Sequence, residues 1–221
     1  MAGVERKLAV LFADVSGSTK LYERLGDSEA LRAVDRCVKR MERAIEGFRG
    51  RLIKTIGDEV MVRFDTAEDA FLAAVEMQQR VHDLPPVSGV KLTIRVGFHY
   101  GPAIEDNNDI FGDTVNTAAR IVGLANSEQI LTSRQTVDEL LHLLRESTRD
   151  LDQLSVKGKA EGVHVFEVFW RETEELTMKA GSLAPAQRES SKLCVRYRGK
   201  AFLLDEKNPV LTMGRDQSNN L

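Results

Sequence analysis

The sequence predicts an α+β domain of ferredoxin-like βαββαβ order, extended by further helices and strands and followed by a short C-terminal β fragment. Three observations carry this. An apolar run of strand length ends at Asp14, two strand-like runs meet across Gly57-Asp58, and two long stretches with apolar residues at helical spacing separate these strands.

The run "KLAVLFADV" (7–15) is almost continuously apolar, as a central strand buried on both faces must be, and the turn-forming "SGST" follows its Asp14. Residues 19 to 48 are predicted helical with a break at Gly26, after which Leu31, Val34, Val38, Met41 and Ile45 keep helical spacing. "RLIKTI" and "EVMVRF" form a hairpin, because Gly-Asp suits a tight two-residue turn. A second amphipathic helix covers 66–83 and is stopped by Pro85-Pro86; "KLTIRVGFHYG" (91–101) returns as a strand. The resulting sheet is expected to contain antiparallel pairs with helices on one face. Beyond it lie a helix opening at Gly112-Asp113, with Asp113 as its N-cap and Val115, Ala118, Ala119 and Val122 as its apolar stripe. The strand "QILTS", a short helix near 133–144 and the strand "VHVFEVFW" follow.

The chain thus divides into 1–170 as one domain, 171–191 as a linker where periodicity fades into Glu, Thr, Ser, Ala and Gly, and 192–221 as short strand-like pieces. At 221 residues the main domain has ample length for a buried core. Thirty-one Lys and Arg against 34 Asp and Glu, net charge -3, exclude a general nucleic-acid footprint, so any anionic ligand is met locally. No apolar run approaches membrane-spanning length, and Cys37 and Cys194 form no ligand spacing; together these favour a cytoplasmic protein off the membrane.

Two carboxylates are the first candidates for chemistry. Asp14 closes the first strand and Asp58 sits in the hairpin turn, so adjacent strands bring them together, where two oxygen ligands could hold divalent metal beside the backbone amides of "SGST". Taken singly, Asp14 as a helix cap and Asp58 as a turn residue are the ordinary alternatives. Asn116 and Arg120, four apart on the later helix, present an amide and a guanidinium on one face. His82, His99, His142 and His164 show no metal spacing.

In order along the chain, "LFADVSGST", "KTIGDEVMV", "RVGFHYGP", "DIFGDTVNTAAR" and "VKGKAEGVHVFEV" resemble the catalytic domain of the class III nucleotidyl cyclases over about residues 7–170. The resemblance implies a homodimer that converts ATP to 3',5'-cyclic AMP and pyrophosphate, with two Mg2+ or Mn2+ ions as cofactors. It further implies that Asp14 and Asp58 are the metal carboxylates, Lys54 and Asp109 read the purine, Asn116 and Arg120 act on the transition state, and Arg95 and Lys157 hold phosphate. Each site of the resembled family is shared, one chain supplying metal aspartates and its partner the rest. The adenylate type follows from hydrogen-bond polarity: Lys54 donates to an adenine ring nitrogen and Asp109 accepts from the exocyclic amine, whereas guanine opposes both. Guanylate-type members carry Glu and Cys at these two places. "PAIEDNN" (102–108) is shorter than the arm of many relatives.

Two other readings stay open on sequence alone: a cyclase-fold module that binds nucleotide or dimerises without chemistry, and a receiver-like domain with Asp14 as phosphoacceptor. The C-terminal "VLTMGRDQSNNL" resembles the opening of a forkhead-associated domain, with Arg215 at the phosphate-contacting place. A phosphothreonine peptide is therefore an expected partner only where that domain is completed in a longer chain.

Overall fold

The computed structural model describes residues 3–154, 162–171, 193–197 and 200–204. They fall into two compact units, 1–171 and 172–221. In the first unit the element order is β1 (Val4–Ser16), α1 (Ser18–Leu25), α2 (Asp27–Gly47), β2 (Arg51–Ile56), β3 (Glu59–Phe64), α3 (Ala67–His82) and β4 (Thr93–Asp106). After these come β5 (Asp109–Phe111), α4 (Asp113–Leu124), β6 (Ile130–Ser133), α5 (Arg134–Glu139), α6 (His142–Arg145), β7 (Thr148–Leu154) and β8 (Val163–Val168). The sheet runs β2-β3-β1-β4-β6-β8-β7, with β5 hairpinned onto β4. Each neighbouring pair among its first four strands is antiparallel, the ferredoxin-like arrangement. In the second unit β9 (Leu193–Tyr197) pairs antiparallel with β10 (Lys200–Leu204). The "VLTMGRDQSNNL" stretch and Arg215 lie outside the described residues.

Strand β1 is central because it is apolar on both sides: Leu8 to Ala13 are all buried. Its alternation separates two cores. Ala9, Leu11, Ala13 and Val15 face α2 and α3 in the larger core, with Met41, Phe64, Phe71, Met77 and Phe98. Leu8, Val10 and Phe12 face the other way, against Met61, Ile110, Ala118 and Val122. As expected, the two helices of the ferredoxin-like core, α2 and α3, share one face, and the added helix α4 covers the second, where its own apolar stripe finds a partner.

The stops are local chemistry. Gly26, at φ 74 and ψ 171, separates α1 from α2. Thr66 caps α3 by accepting from the Asp69 N–H at 3.1 Å. Strand β4 continues five residues past Gly101, so "PAIEDNN" is its end and its turn rather than an arm. Asn107 and Asn108, at φ 47 and 69, make the tight turn into β5. At α4 the structure corrects the cap: Gly112 holds the N-cap place and Asp113 is the first helical residue. Ala119 is exposed while Thr114 and Ile121 are buried, so the apolar stripe is rotated from the expected one. Leu31 is likewise exposed. The expected 133–144 helix is two short ones, and the β7 edge strand was not anticipated.

Candidate active site

The register of three strands builds the first group. Asp14 of β1 lies opposite Glu59 of β3 on one side and Arg95 of β4 on the other, so a carboxylate, a carboxylate and a guanidinium stand in one cross-strand row on the α4 face. Arg95 donates to Asp14 Oδ2 through Nε at 2.7 Å, and Nη2 lies 2.6 Å from the same oxygen. Asp58 sits beside the row in the turn after β2, where Gly57 at φ 65 lets the chain reverse. Its Oδ2 accepts from the Ser18 hydroxyl at 2.6 Å, a bond between the hairpin tip and the first turn of α1. The Glu59 carboxyl is pushed above its ordinary pKa, first by burial and next by Asp14, with Asp58 adding to this and Arg95 opposing it.

A second group lies one register step further from the strand ends. Lys54 of β2 pairs with Met61, on the same face, and its Nζ donates to both oxygens of Asp109 at 2.9 and 2.7 Å. Asp109 reaches it because the β4–β5 hairpin curls over this face and buries Ile110 among Leu8, Val10, Phe12 and Met61. The Lys54 hydrogen bond, and then the Ile110 N–H, hold Asp109 below the usual carboxylate range.

Helix α4 presents the third group. Asn116 is exposed and Arg120 half-buried. Arg120 borders a cleft of about 400 Å³ together with Asp113, Thr117, Ser133, Arg134, Gln135 and His164. The helix lies close to the sheet at Gly97: a Cβ there would stand 2.2 Å from the Val122 backbone nitrogen. Lys157 lies outside the described residues. Sequence reasoning passed over Glu59 and Ser18, which the fold sets beside Asp14 and Asp58. It also passed over Asp150, Asp152 and His164, whose ligand atoms lie within 4.8 Å of one another at the β7–β8 edge.

A family model, the adenylate and guanylate cyclase catalytic domain, matches residues 3–170. The chain belongs to this family. Among curated relatives, an adenylate cyclase of Streptomyces coelicolor is 33% identical over 141 residues, covering 62% of this chain and 35% of that protein. One of Anabaena cylindrica is 28% identical over 188 residues, covering 76% and 38%. The chain thus spans little more than a third of the length of these two relatives. Among solved structures, the adenylate/guanylate cyclase/hydrolase of Silicibacter pomeroyi matches with TM-score 0.65 at 29% identity, over 75% of this chain and 98% of that one. The adenylyl cyclase CyaB of P. aeruginosa matches in fold with TM-score 0.63 at 24% identity, over 76% and 96%.

Cyclase domains work with divalent metals, and the strand-end row of this cyclase domain suits such ions. Three carboxylates raise the local negative charge and Arg95 alone answers them within the row, so the field favours an added cation. Asp14 and Asp58 are hard oxygen donors, the ligand type that Mg2+ and Mn2+ prefer. Among the described residues no helix of the domain is long and apolar enough to cross a membrane.

Proposed function

We propose that the chain is an adenylate cyclase that acts as a homodimer on cytoplasmic ATP, forming 3',5'-cyclic AMP and pyrophosphate. The Lys54–Asp109 pair carries this reading: a donor and an acceptor held at 2.7 Å offer adenine, and not guanine, a complementary edge. Relatives named adenylate cyclase support the same choice.

In the reaction the ribose 3'-hydroxyl gives up its proton to water, its oxygen attacks the α-phosphorus, and the bond to pyrophosphate breaks. Asp14 and Asp58 would hold two divalent metal ions, which when bound would supply electrostatic stabilisation of the charge that develops in the transition state. Asn116 orients the ribose, and Arg120 meets the negative charge growing on the α-phosphoryl group. Arg95 and Lys157 hold the phosphates, Arg95 by turning from Asp14. In the shared-site arrangement one protomer contributes Asp14 and Asp58, its partner Lys54, Asp109, Asn116 and Arg120. Exposed Val4, Ile104 and Phe111 on β1, β4 and β5 are apolar surface that a second copy would cover. The C-terminal segment, 192–221, is proposed as the start of a forkhead-associated domain after a linker at 171–191.

The test is cyclic AMP formation by the purified chain with ATP and Mn2+, using Asp58→Ala and Asn116→Ala variants. Each variant alone is expected to be nearly inactive. An equal mixture with exchanged chains recovers up to roughly a quarter of wild-type activity, since half the dimers then carry one intact site of two. No cyclic AMP from the wild type overturns the enzyme reading. A mixture no better than its parents, with chain exchange demonstrated, overturns the shared site.

A further inference from the structure

We infer that Ser18 is a positioning residue for the metal site, its hydroxyl fixing the carboxylate of Asp58 across the gap between α1 and the β2–β3 turn. The inference rests on the proposed role of Asp58 as a metal ligand and goes beyond it. Ser18 opens α1, where a serine would ordinarily turn to free backbone N–H groups. Here the N-cap is Gly17, at φ 93, and no side chain caps the helix. The hydroxyl instead donates to a carboxylate forty residues away, at 2.6 Å, the short distance of a charge-assisted O–H···O bond.

Asp58 needs this anchor because of where it stands. It sits in a two-residue turn at the tip of the edge hairpin, next to Gly57, and β2 is mostly exposed. Among the described residues, Ser18 supplies the sole hydrogen bond recorded for the Asp58 side chain. Asp14, by contrast, sits on the central strand and is gripped by Arg95 through two nitrogens. The two carboxylates are therefore held by different means: one by sheet register, the other by a single hydroxyl. With Oδ2 tied to Ser18, Oδ1 is the oxygen Asp58 can present to a cation, and loss of the hydroxyl lets the carboxylate rotate. Outer partners that orient a metal ligand typically govern affinity by about 10–100-fold.

The experiment is Mn2+ binding to the full chain without nucleotide, read by the electron paramagnetic resonance of free Mn2+. It compares wild type, Ser18→Ala, Ser18→Thr and Asp58→Ala, with circular dichroism to confirm that each is folded. Ser18→Ala is expected to weaken Mn2+ binding by about tenfold or more. It should raise the metal concentration for half-maximal rate while leaving the ATP KM at saturating metal unchanged. Ser18→Thr, which keeps a hydroxyl, should stay within about twofold of wild type. Wild-type binding by Ser18→Ala, with Asp58→Ala impaired, overturns the positioning role alone. Failure of Ser18→Thr to rescue a weakened Ser18→Ala overturns it too, since the effect then belongs to the helix start. Unaltered Mn2+ binding by Asp58→Ala overturns the metal reading of Asp58 itself.

Discussion

Replacing Gly97 by alanine is expected to lower cyclase activity more than its distance from substrate suggests. Gly97 lies on β4 directly under α4, and an added Cβ would stand 2.2 Å from the Val122 nitrogen, 2.5 Å from its Cα and 2.8 Å from its Cβ. Two of these atoms are backbone, so no rotamer change relieves them. Ordinary contact begins at 3.4 Å. The helix must therefore retreat from the sheet by about 1.2 Å, and a shift of about 1 Å at a reacting group can cost on the order of a hundredfold in rate. Asn116 and Arg120 ride on that helix. The overpacking itself should cost about 1–3 kcal/mol of stability, which leaves the domain folded at room temperature. The assay pairs cyclic AMP formation with denaturant unfolding of Gly97→Ala. A loss of kcat near a hundredfold with a modest fall in stability is the expected outcome. Wild-type kcat would refute the argument that α4 placement governs the chemistry.

Three further outcomes are expected. Lys54→Glu with Asp109→Cys should weaken ATP use and raise GTP use, each corrected hydrogen-bond mismatch shifting preference by about 1–3 kcal/mol; an unchanged ATP to GTP ratio in kcat/KM removes the purine-reading role. His99 is buried, accepts or donates through Nδ1 at 2.7 Å from Ser133 Oγ, and has its pKa lowered to about 4 by burial. Its folded value lies below the unfolded one near 6.5, so its contribution is intact above pH 6.5 and is lost as pH falls toward 4, on the order of 3 kcal/mol in all. Wild type should therefore lose more unfolding free energy between pH 7.5 and 4.5 than His99→Gln does, and equal losses would refute this. Asp14→Ala should abolish Mn2+-dependent activity while leaving the unfolding midpoint near that of wild type, because its partner Arg95 is half-exposed; a collapsed fold would make the residue structural.

The ferredoxin-like order was legible because its signals are strong and local. The apolar run of β1, the Gly57-Asp58 turn and the Pro85-Pro86 stop each follow from backbone chemistry within a few residues. The misreadings arose where tertiary packing chose between near-equal local options. Asp113 has the right side chain for a cap, yet Gly112, with φ 126, takes that place. Ala119 and Ile121 compete for the buried stripe of α4, and close approach to Gly97 turns the helix so that Ile121 and Val122 go inward. Strand β7 carries Arg149, Asp150 and Asp152 and has no alternation, as an edge strand can. For the site, the candidate residues were legible as motifs, whereas their partners were not. Ser18 meets Asp58 across forty residues of chain, and nothing local in "SGST" announces that contact.

The charge pattern of the site is set by the same register that sets the core. Asp14 is flanked by Glu59 and Arg95 because β1 pairs with β3 and β4 in one fixed alignment, and that alignment also puts Ala13 and Val15 against the α2–α3 core. A slip of one residue on β4 would bring Ile94 or Val96 opposite Asp14, turning a guanidinium into an alkyl group beside a half-buried carboxylate. It would also carry Ile94, Val96 and Phe98, all fully buried, onto the opposite face and out of their core. Burial of each such side chain is worth about 1.5–3 kcal/mol, more than a partly exposed ion pair contributes. The hydrophobic residues therefore hold Arg95 to Asp14, and the ion pair does not hold the strands. Substitutions of Arg95 or Asp14 can alter chemistry without moving the sheet for the same reason.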